Sequence, residues 1–215
     1  MLASQLAPAM EYPCVQRFVV DVLDMQFSDV RAMLQLPRPD IGIKPACNFA
    51  IVSTLCNLIS GISTTIFKPK QLLTEIQSTC PSGQTFTALV RDHFPYCPTG
   101  TSDFPRQLYD LCRNPMAHSA GLIGAPAPVV VFTRIFDQAH SDVGWSDREL
   151  EDIEHPDRSF ELPYKGIVTD LNRWTLHCDS FYLDVIAILR HLNTDSTQMQ
   201  AAERRFSKGV YNWRR

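Results

Sequence analysis

The sequence lacks the cysteine spacing of a metal site or a disulfide framework. It has seven cysteines, an odd number, and no two of them form a Cys-x-x-Cys motif. Such close pairs are typical of zinc sites, and an even count is typical of small secreted domains. Several cysteines fall on apolar helical faces, where a reduced thiol packs as a small hydrophobic group. We therefore predict reduced thiols in a cytoplasmic protein, with no metal and no other cofactor.

An excess of basic charge is also lacking. The 215 residues carry a formal net charge of -3, and 20% of them are charged. A protein dedicated to duplex nucleic acid usually has a basic excess, so that class is disfavoured, although a local basic patch stays open. Neither internal repeats nor a glycine-rich phosphate loop occurs. A hydrophobic content of 45% suits a single globular domain over residues 1–215.

Residues 45–67 contain no charged side chain, which raises the question of a membrane span. Asparagine, serine and threonine recur in that segment, whereas a spanning helix needs about 20 predominantly apolar residues. The first ten residues, MLASQLAPAM, lack the basic and long apolar regions of a secretory signal. We expect a buried core helix and no membrane association.

Apolar residues at helical spacing predict four or five long helices, mostly up and down. The first pattern covers residues 14–36, with Ser28 as the cap of a second segment after a bend. The second covers residues 47–67, and its apolar stripe is Ile51, Leu55, Leu58, Ile59, Ile62 and Ile66. A third helix is expected from Ser82, as N-cap, to Pro95.

The fourth helix is expected to begin near Ser102, with Asp103 in its first turn. Its inward residues are predicted to be Phe104, Leu108, Leu111 and Cys112. It leads into the stretch that carries most of the functional information. Gly121 and Gly124 follow as stop signals.

The later part of the chain predicts a small β-containing and acidic insert at 125–166. Residues 128–136 are β-branched and aromatic and predict a strand, with 160–168 as its partner in a hairpin-like ribbon. Residues 137–158 are acidic and are interpreted as a solvated helix or loop, with metal ligation as the alternative. The last helix is expected over 168–192, on a stripe of Ile167, Leu171, Trp174, Cys178, Phe181, Val185 and Leu189. The fold class is therefore mainly all-α, a bundle with a small β-insert before the last helix.

Residues 200–215 predict a basic C-terminal tail that also carries aromatic side chains. Such tails can contact phosphates and stack bases, although a solvated terminus is the simpler interpretation. The candidate RNA-binding residues are Arg204, Arg205, Lys208, Arg214 and Arg215.

The stretch LYDLCRNPMAHSAGL, residues 108–122, contains the candidate catalytic residues Arg113, Asn114 and His118. On an ideal helix the arginine and the histidine would lie about 140° apart. Pro115 removes a helical hydrogen bond and disfavours the α conformation at Asn114. We therefore expect a break, with the asparagine as N-cap of a new helix, that turns His118 towards Arg113. A guanidinium beside an imidazole suits phosphodiester chemistry, because one binds phosphate and the other exchanges protons near neutral pH.

A purely structural interpretation of this stretch stays open. Arg113 would then pair with an acid, the histidine would bond a backbone carbonyl, and the asparagine would only cap a helix. Spacing alone is weakly specific. Two other arginine–histidine pairs occur at similar spacing, Arg134/His140 and Arg148/His155.

An arginine, an adjacent asparagine and a histidine near the end of a late helix resemble the R-x(4–6)-H motif of the HEPN superfamily. The run Leu-Tyr-x-x-x-Arg-Asn-x-x-x-His is similar to that of many small bacterial HEPN-like proteins. The resemblance covers about residues 10–192, and only the short motif is specific. It implies a HEPN-like up-and-down bundle of four or five helices and a homodimer in which two copies of the motif face each other.

For function, the resemblance implies a metal-independent endoribonuclease that leaves a 2′,3′-cyclic phosphate and a 5′-hydroxyl, in a defence or toxin–antitoxin setting. Arg113 would hold the phosphate, His118 would move protons at the ribose 2′-oxygen or the leaving 5′-oxygen, and Asn114 would orient one of them. The alternative is a HEPN-like scaffold without catalysis that binds a nucleotide, RNA or a protein. The partners implied are RNA or a nucleotide, and a cognate antitoxin or another protein.

Overall fold

Helices dominate the structure, and a three-stranded sheet precedes the last two of them, which confirms the mainly all-α prediction. The computed structural model describes Leu6 and residues 11–36, 47–70, 81–96, 103–114, 129–134, 145–155, 165–170 and 173–208. The elements are α1 (Pro13–Phe18), a π-helical turn (Val19–Leu23), α2 (Asp24–Gln35), α3 (Asn48–Thr65), α4 (Ser82–His93), α5 (Phe104–Leu108), a second π-helical turn (Tyr109–Arg113), β1 (Val129–Thr133), α6 (Asp147–Glu154), β2 (Ile167–Asp170), β3 (Arg173–His177), α7 (Cys178–Thr194) and α8 (Ser196–Ser207).

The first helical pattern is confirmed, but its irregularity lies elsewhere than predicted. The helix runs through Ser28 without a bend, and the change of register is the π-helical turn at Val19–Leu23. The buried side chains keep the helical spacing across that turn: Val15, Phe18, Val19, Leu23, Phe27, Val30 and Leu34. Ser28 therefore caps nothing.

Helix α3 is the central element, because α2, α4, α7 and β1 all pack against it. Every residue of its predicted apolar stripe is buried. A helix contacted on several sides needs no charged face, which explains why the segment carries no charge. No helix in the described ranges combines the length and the apolar character that crossing a bilayer requires.

The starts of the next two helices differ slightly from the prediction: α4 begins one residue earlier and α5 about two residues later. Ser82 is the first residue of α4, and Pro81 occupies the capping position, because its carbonyl accepts from the Gln84 and Thr85 amides. Helix α5 begins at Phe104, with Asp103 in the capping position.

The strand at 128–136 is confirmed as β1, but its predicted partner is wrong. Strand β1 pairs in parallel with β3, and β3 pairs antiparallel with β2, giving the order β1-β3-β2. The last long helix consequently begins at Cys178 and not at 168. Trp174 and Leu176 are buried while Arg173 is exposed, so the segment has the period of two of a strand.

The acidic insert and the basic tail are both more integrated than predicted. Leu150 and Ile153 of α6 lie in the core, and Ser146 caps this helix through a capping box with Glu149. Residues that were assigned to a tail from 200 onwards form helix α8 as far as Ser207, and Ala201, Ala202 and Phe206 are buried there.

Gly166 joins the sheet to α7 and leaves no room for a side chain. A Cβ there would lie 2.1 Å from the Asp184 Oδ2 and 2.6 Å from the backbone of Phe181. Because a helix backbone cannot move aside cheaply, Gly166→Ala should lower the free energy of unfolding by about 2–3 kcal/mol. Gly61→Ala is the matched control, since nothing lies within 4 Å of its Cβ position and alanine favours a helix by about 1 kcal/mol. Urea unfolding of both variants checks this, and equal effects would contradict it.

Asp184 predicts a specific dependence of stability on pH. The Tyr96 hydroxyl donates to its Oδ2 at 2.7 Å, and the Ile167 amide donates to that hydroxyl oxygen at 2.9 Å. Burial raises the pKa of Asp184 to about 7, whereas an unfolded aspartate has a pKa of about 3.9. The folded state therefore binds an extra proton between these values, and stability falls as pH rises through that window.

Asp184→Asn removes this titration. The stability of the parent relative to the variant should fall by about 2–3 kcal/mol between pH 5 and pH 8, at about 1.4 kcal/mol per pH unit up to the folded pKa. Urea unfolding at the two pH values measures the difference. A parent and a variant that change in parallel would show that Asp184 is already ionised at pH 5.

Candidate functional site

The candidate site lies on the π-helical turn Tyr109–Arg113, which continues α5. Phe104, Leu108 and Cys112 are buried, as predicted, and the turn packs against α3 and α4. Turns of this kind are rare and occur frequently at functional sites. The apolar residues thus anchor the helix from one side and hold Arg113 at the end of the turn.

The predicted break at Asn114 is wrong. Asn114 has right-handed helical dihedrals, φ -67° and ψ -48°, and its amide donates to the Tyr109 carbonyl five residues earlier. Asn114 therefore continues the helical turn and does not have the extended conformation of an N-cap. The Asn114 side chain is exposed. His118 and Pro115 lie outside the described residues.

The polar contacts of Arg113 bear on the structural interpretation of this stretch. Its side chain is half-buried, and its Nε is buried without a hydrogen-bond partner. Among the ion pairs of the described residues, none involves Arg113. The acid partner required by the structural interpretation is therefore missing in this part of the chain. A buried N–H without a partner carries a desolvation cost that an incoming anion would relieve.

Tyr109 positions the guanidinium. The Arg113 Cζ lies 5.5 Å from the centroid of the Tyr109 ring, within the range of a cation–π contact. The ring itself is held on its other sides, at 5.4 Å from the Phe86 ring and against Gly83, where a Cβ would come within 3.0 Å of it. Helix α4 therefore fixes the tyrosine, and the tyrosine restricts Arg113.

The thiols beside Arg113 are poor nucleophiles. Burial raises the pKa of Cys56 to about 12, although the nearby charge of Arg113 opposes this, and burial also raises the pKa of Cys112 well above its ordinary value. Both thiols are protonated at neutral pH and unreactive. The five described cysteines are not in disulfides: Cys14, Cys47, Cys56, Cys112 and Cys178.

The other two arginine–histidine pairs have different surroundings. Arg134 is buried and pairs with Asp179 at 3.2 Å. Arg148 and His155 are exposed at the two ends of α6. Glu154, the most buried of the insert's acids that the structure describes, pairs with Arg31 at 3.0 Å. Within the described ranges no group of three or more histidine, cysteine or acidic residues could hold a metal ion.

The predicted RNA-binding residues divide between core and surface. Arg205 is buried, and its guanidinium donates to the Thr65 and Ile66 carbonyls at 3.0 and 2.6 Å, at the end of α3. It therefore caps a helix. Arg204 is exposed on α8, and Lys208 is exposed at the C-terminal capping position of that helix. Arg214 and Arg215 lie outside the described residues.

A groove between α4 and α5 is lined by residues to which the sequence patterns gave no ligand-binding role. They are Thr87, Arg91, Asp103, Pro105 and Arg106. The sequence signal that could have found them is their helical spacing. Thr87 and Arg91 are four residues apart on α4, and Arg106 and Tyr109 are three apart, so the members of each pair share a helical face.

Comparison of the chain with protein-family models, with curated proteins and with solved structures finds no match.

Proposed function

We propose that this protein is a HEPN-like ribonuclease that cleaves RNA without a metal ion, with Arg113 as its phosphate-binding residue. The observation that carries the proposal is the buried Nε of Arg113, which has no hydrogen-bond partner in the described chain, where Arg113 also forms no ion pair. An anion that binds this guanidinium gains a charge-assisted hydrogen bond, and no ion pair of the described chain has to break. The sequence Arg-Asn-x-x-x-His adds the second reactive group.

In this mechanism the ribose 2′-oxygen attacks the adjacent phosphorus. His118 of one copy takes the proton from the 2′-hydroxyl, and an imidazolium protonates the 5′-oxygen as its bond to phosphorus breaks. The products are a 2′,3′-cyclic phosphate and a 5′-hydroxyl. Arg113 stabilises the charge that develops on the phosphoryl oxygens. Asn114 orients the histidine or the phosphate, and a homodimer in the cytoplasm supplies the second imidazole.

The test is an RNA cleavage assay in excess EDTA with the purified full chain. We expect cleavage of single-stranded RNA, none of DNA of the same sequence, and products with cyclic phosphate ends. His118→Ala should lower the rate by about 10²-fold or more, the usual contribution of a general acid or base, without changing the urea midpoint. Cleavage by His118→Ala at the parental rate would refute the mechanism. RNA that is bound but never cut would favour the scaffold alternative instead.

A further inference from the structure

A groove of about 460 Å³ lies between α4 and the start of α5, beside the helix that carries Arg113. Its size is within the range of about 300–1,000 Å³ of sites that bind small molecules. Thr87 and Arg91 line it from α4, and Asp103, Pro105 and Arg106 line it from the other side. The lining therefore combines two guanidiniums, a hydroxyl and a carboxylate.

Each of the two arginines is held at one edge by an acid of its own segment. The Nε of Arg91 lies 2.9 Å from the Asp92 Oδ1, and the Nε of Arg106 lies 2.6 Å from the Asp110 Oδ2. An arginine has five N–H donors, so donors remain for a further anion even though an Arg91 amino group also donates to the Asp92 Oδ2 at 3.5 Å. The terminal amino groups of Arg106 make no hydrogen bond in the described chain. Both side chains are more than half exposed and accessible to a ligand.

Asp103 offers the opposite chemistry in the same groove. It occupies the capping position of α5, but its carboxylate accepts no hydrogen bond there. A carboxylate can accept from the amino and imino groups of nucleic acid bases. Guanine presents two such donors side by side, its N1–H and N2–H₂, and so fits the two oxygens of one carboxylate.

The balance of charge argues against a polyanion in this groove. The two guanidiniums are accompanied by the carboxylates of Asp92, Asp103 and Asp110. A ligand with one phosphate and one hydrogen-bond-donating base satisfies both kinds of group. A chain of several phosphates would meet repulsion from the acids.

We propose that this groove binds a guanine nucleotide, with its phosphate at Arg91 and Arg106 and its base at Asp103. Arg106 precedes Arg113 by seven residues, about 10 Å along a helix, so the groove is placed to take a nucleotide next to the phosphate at Arg113. The role of the groove in selecting the cleavage position rests on the ribonuclease proposed above. The binding of a guanine nucleotide does not depend on that proposal.

Calorimetric titration of the full chain with 5′-GMP, AMP, CMP, UMP and inorganic phosphate tests the groove. We expect GMP to bind about tenfold more tightly than the other nucleotides, as a two-bond contact to a base edge provides. Asp103→Asn should abolish that preference, and Arg106→Gln should weaken every nucleotide about tenfold. Arg17→Gln, which alters another exposed arginine held by an aspartate at 3.0 Å, should change nothing. The proposal would be overturned if the parent bound GMP and AMP equally well. It would also be overturned if Asp103→Asn kept the parent's preference for GMP.

The same variants separate this proposal from the ribonuclease. Arg113→Gln should retain the preference for GMP, because Arg113 does not line the groove. If GMP binds as expected and no RNA is cut, the groove stands and the ribonuclease fails. If RNA is cut with the same rate and positions by the parent and Asp103→Asn, the ribonuclease stands and the role of the groove in selecting the cleavage position fails.

Discussion

Replacing Arg113 by glutamine should lower the rate of RNA cleavage by about 10²–10³-fold, the cost of removing one group that stabilises transition-state charge. The reason lies in the environment of the side chain. Its buried Nε has no partner in the described chain, so the substrate phosphate would be the first group to satisfy it. Single-turnover cleavage of a labelled RNA in EDTA measures the effect.

The same substitution should leave stability almost unchanged. The change removes a cation–π contact with Tyr109, worth about 0.5–1 kcal/mol, and with it a buried donor that was unsatisfied. Arg113→Lys keeps the charge but loses the planar fork, so it should restore little of the rate. Arg17→Gln is the control for a general loss of positive charge. An Arg113→Gln protein that is folded and cuts at the parental rate would remove the basis of the proposed mechanism.

Asp179→Ala should have the largest effect on stability, a loss of about 3–5 kcal/mol in the free energy of unfolding. Asp179 is fully buried and accepts from the Arg134 Nε at 3.2 Å and from the Trp145 Nε1 at 2.6 Å. Arg134 also donates to the Met33 and Leu34 carbonyls. One ion pair and its hydrogen bonds thus connect α2 and α7 with the residue after β1 and with the segment before α6.

The loss is large because one charge would remain buried without its partner. Removing both charges avoids that penalty, so Arg134→Met combined with Asp179→Leu should be less destabilised than Asp179→Ala alone. Urea unfolding of Arg134→Met, of Asp179→Leu and of the double variant gives the coupling free energy between the two positions. Arg17→Ala, at an exposed pair of the same chemistry, should have a far smaller effect. Additive losses from the two buried positions would show that the pair is not coupled.

The helical part of the fold was predictable because apolar spacing alone determines it. The stripe of α3 follows from six aliphatic residues at helical intervals. The segment 168–177 was assigned to a helix because Trp174 satisfies both a period of 3.6 and a period of two. The β-branched residues of Ile167–Asp170 and the asparagine at 172, a residue type common in turns, were the sequence signals that favoured strands.

The site was predictable in part. The motif identified Arg113, but nothing in the sequence shows which acids fold close to an arginine. Arg205, Arg134 and Arg113 have the same chemistry, and only packing makes the first a helix cap, the second half of a buried ion pair and the third a cation over the Tyr109 ring. Charge counted along the chain therefore could not show that Arg205 is buried, and it did not indicate the groove between α4 and α5.

The most direct test of the central claim observes the Arg113 Nε–H itself. In ¹H–¹⁵N spectra of the full chain, the Nε–H signal is assigned by its loss in Arg113→Gln. A 2′-O-methylated RNA, which lacks the attacking hydroxyl and cannot be cut, is then added to saturation. We predict a downfield shift of this signal and slower exchange with solvent, as expected for a new bond to a phosphate oxygen. A signal that stays in place while the RNA is fully bound would contradict the account.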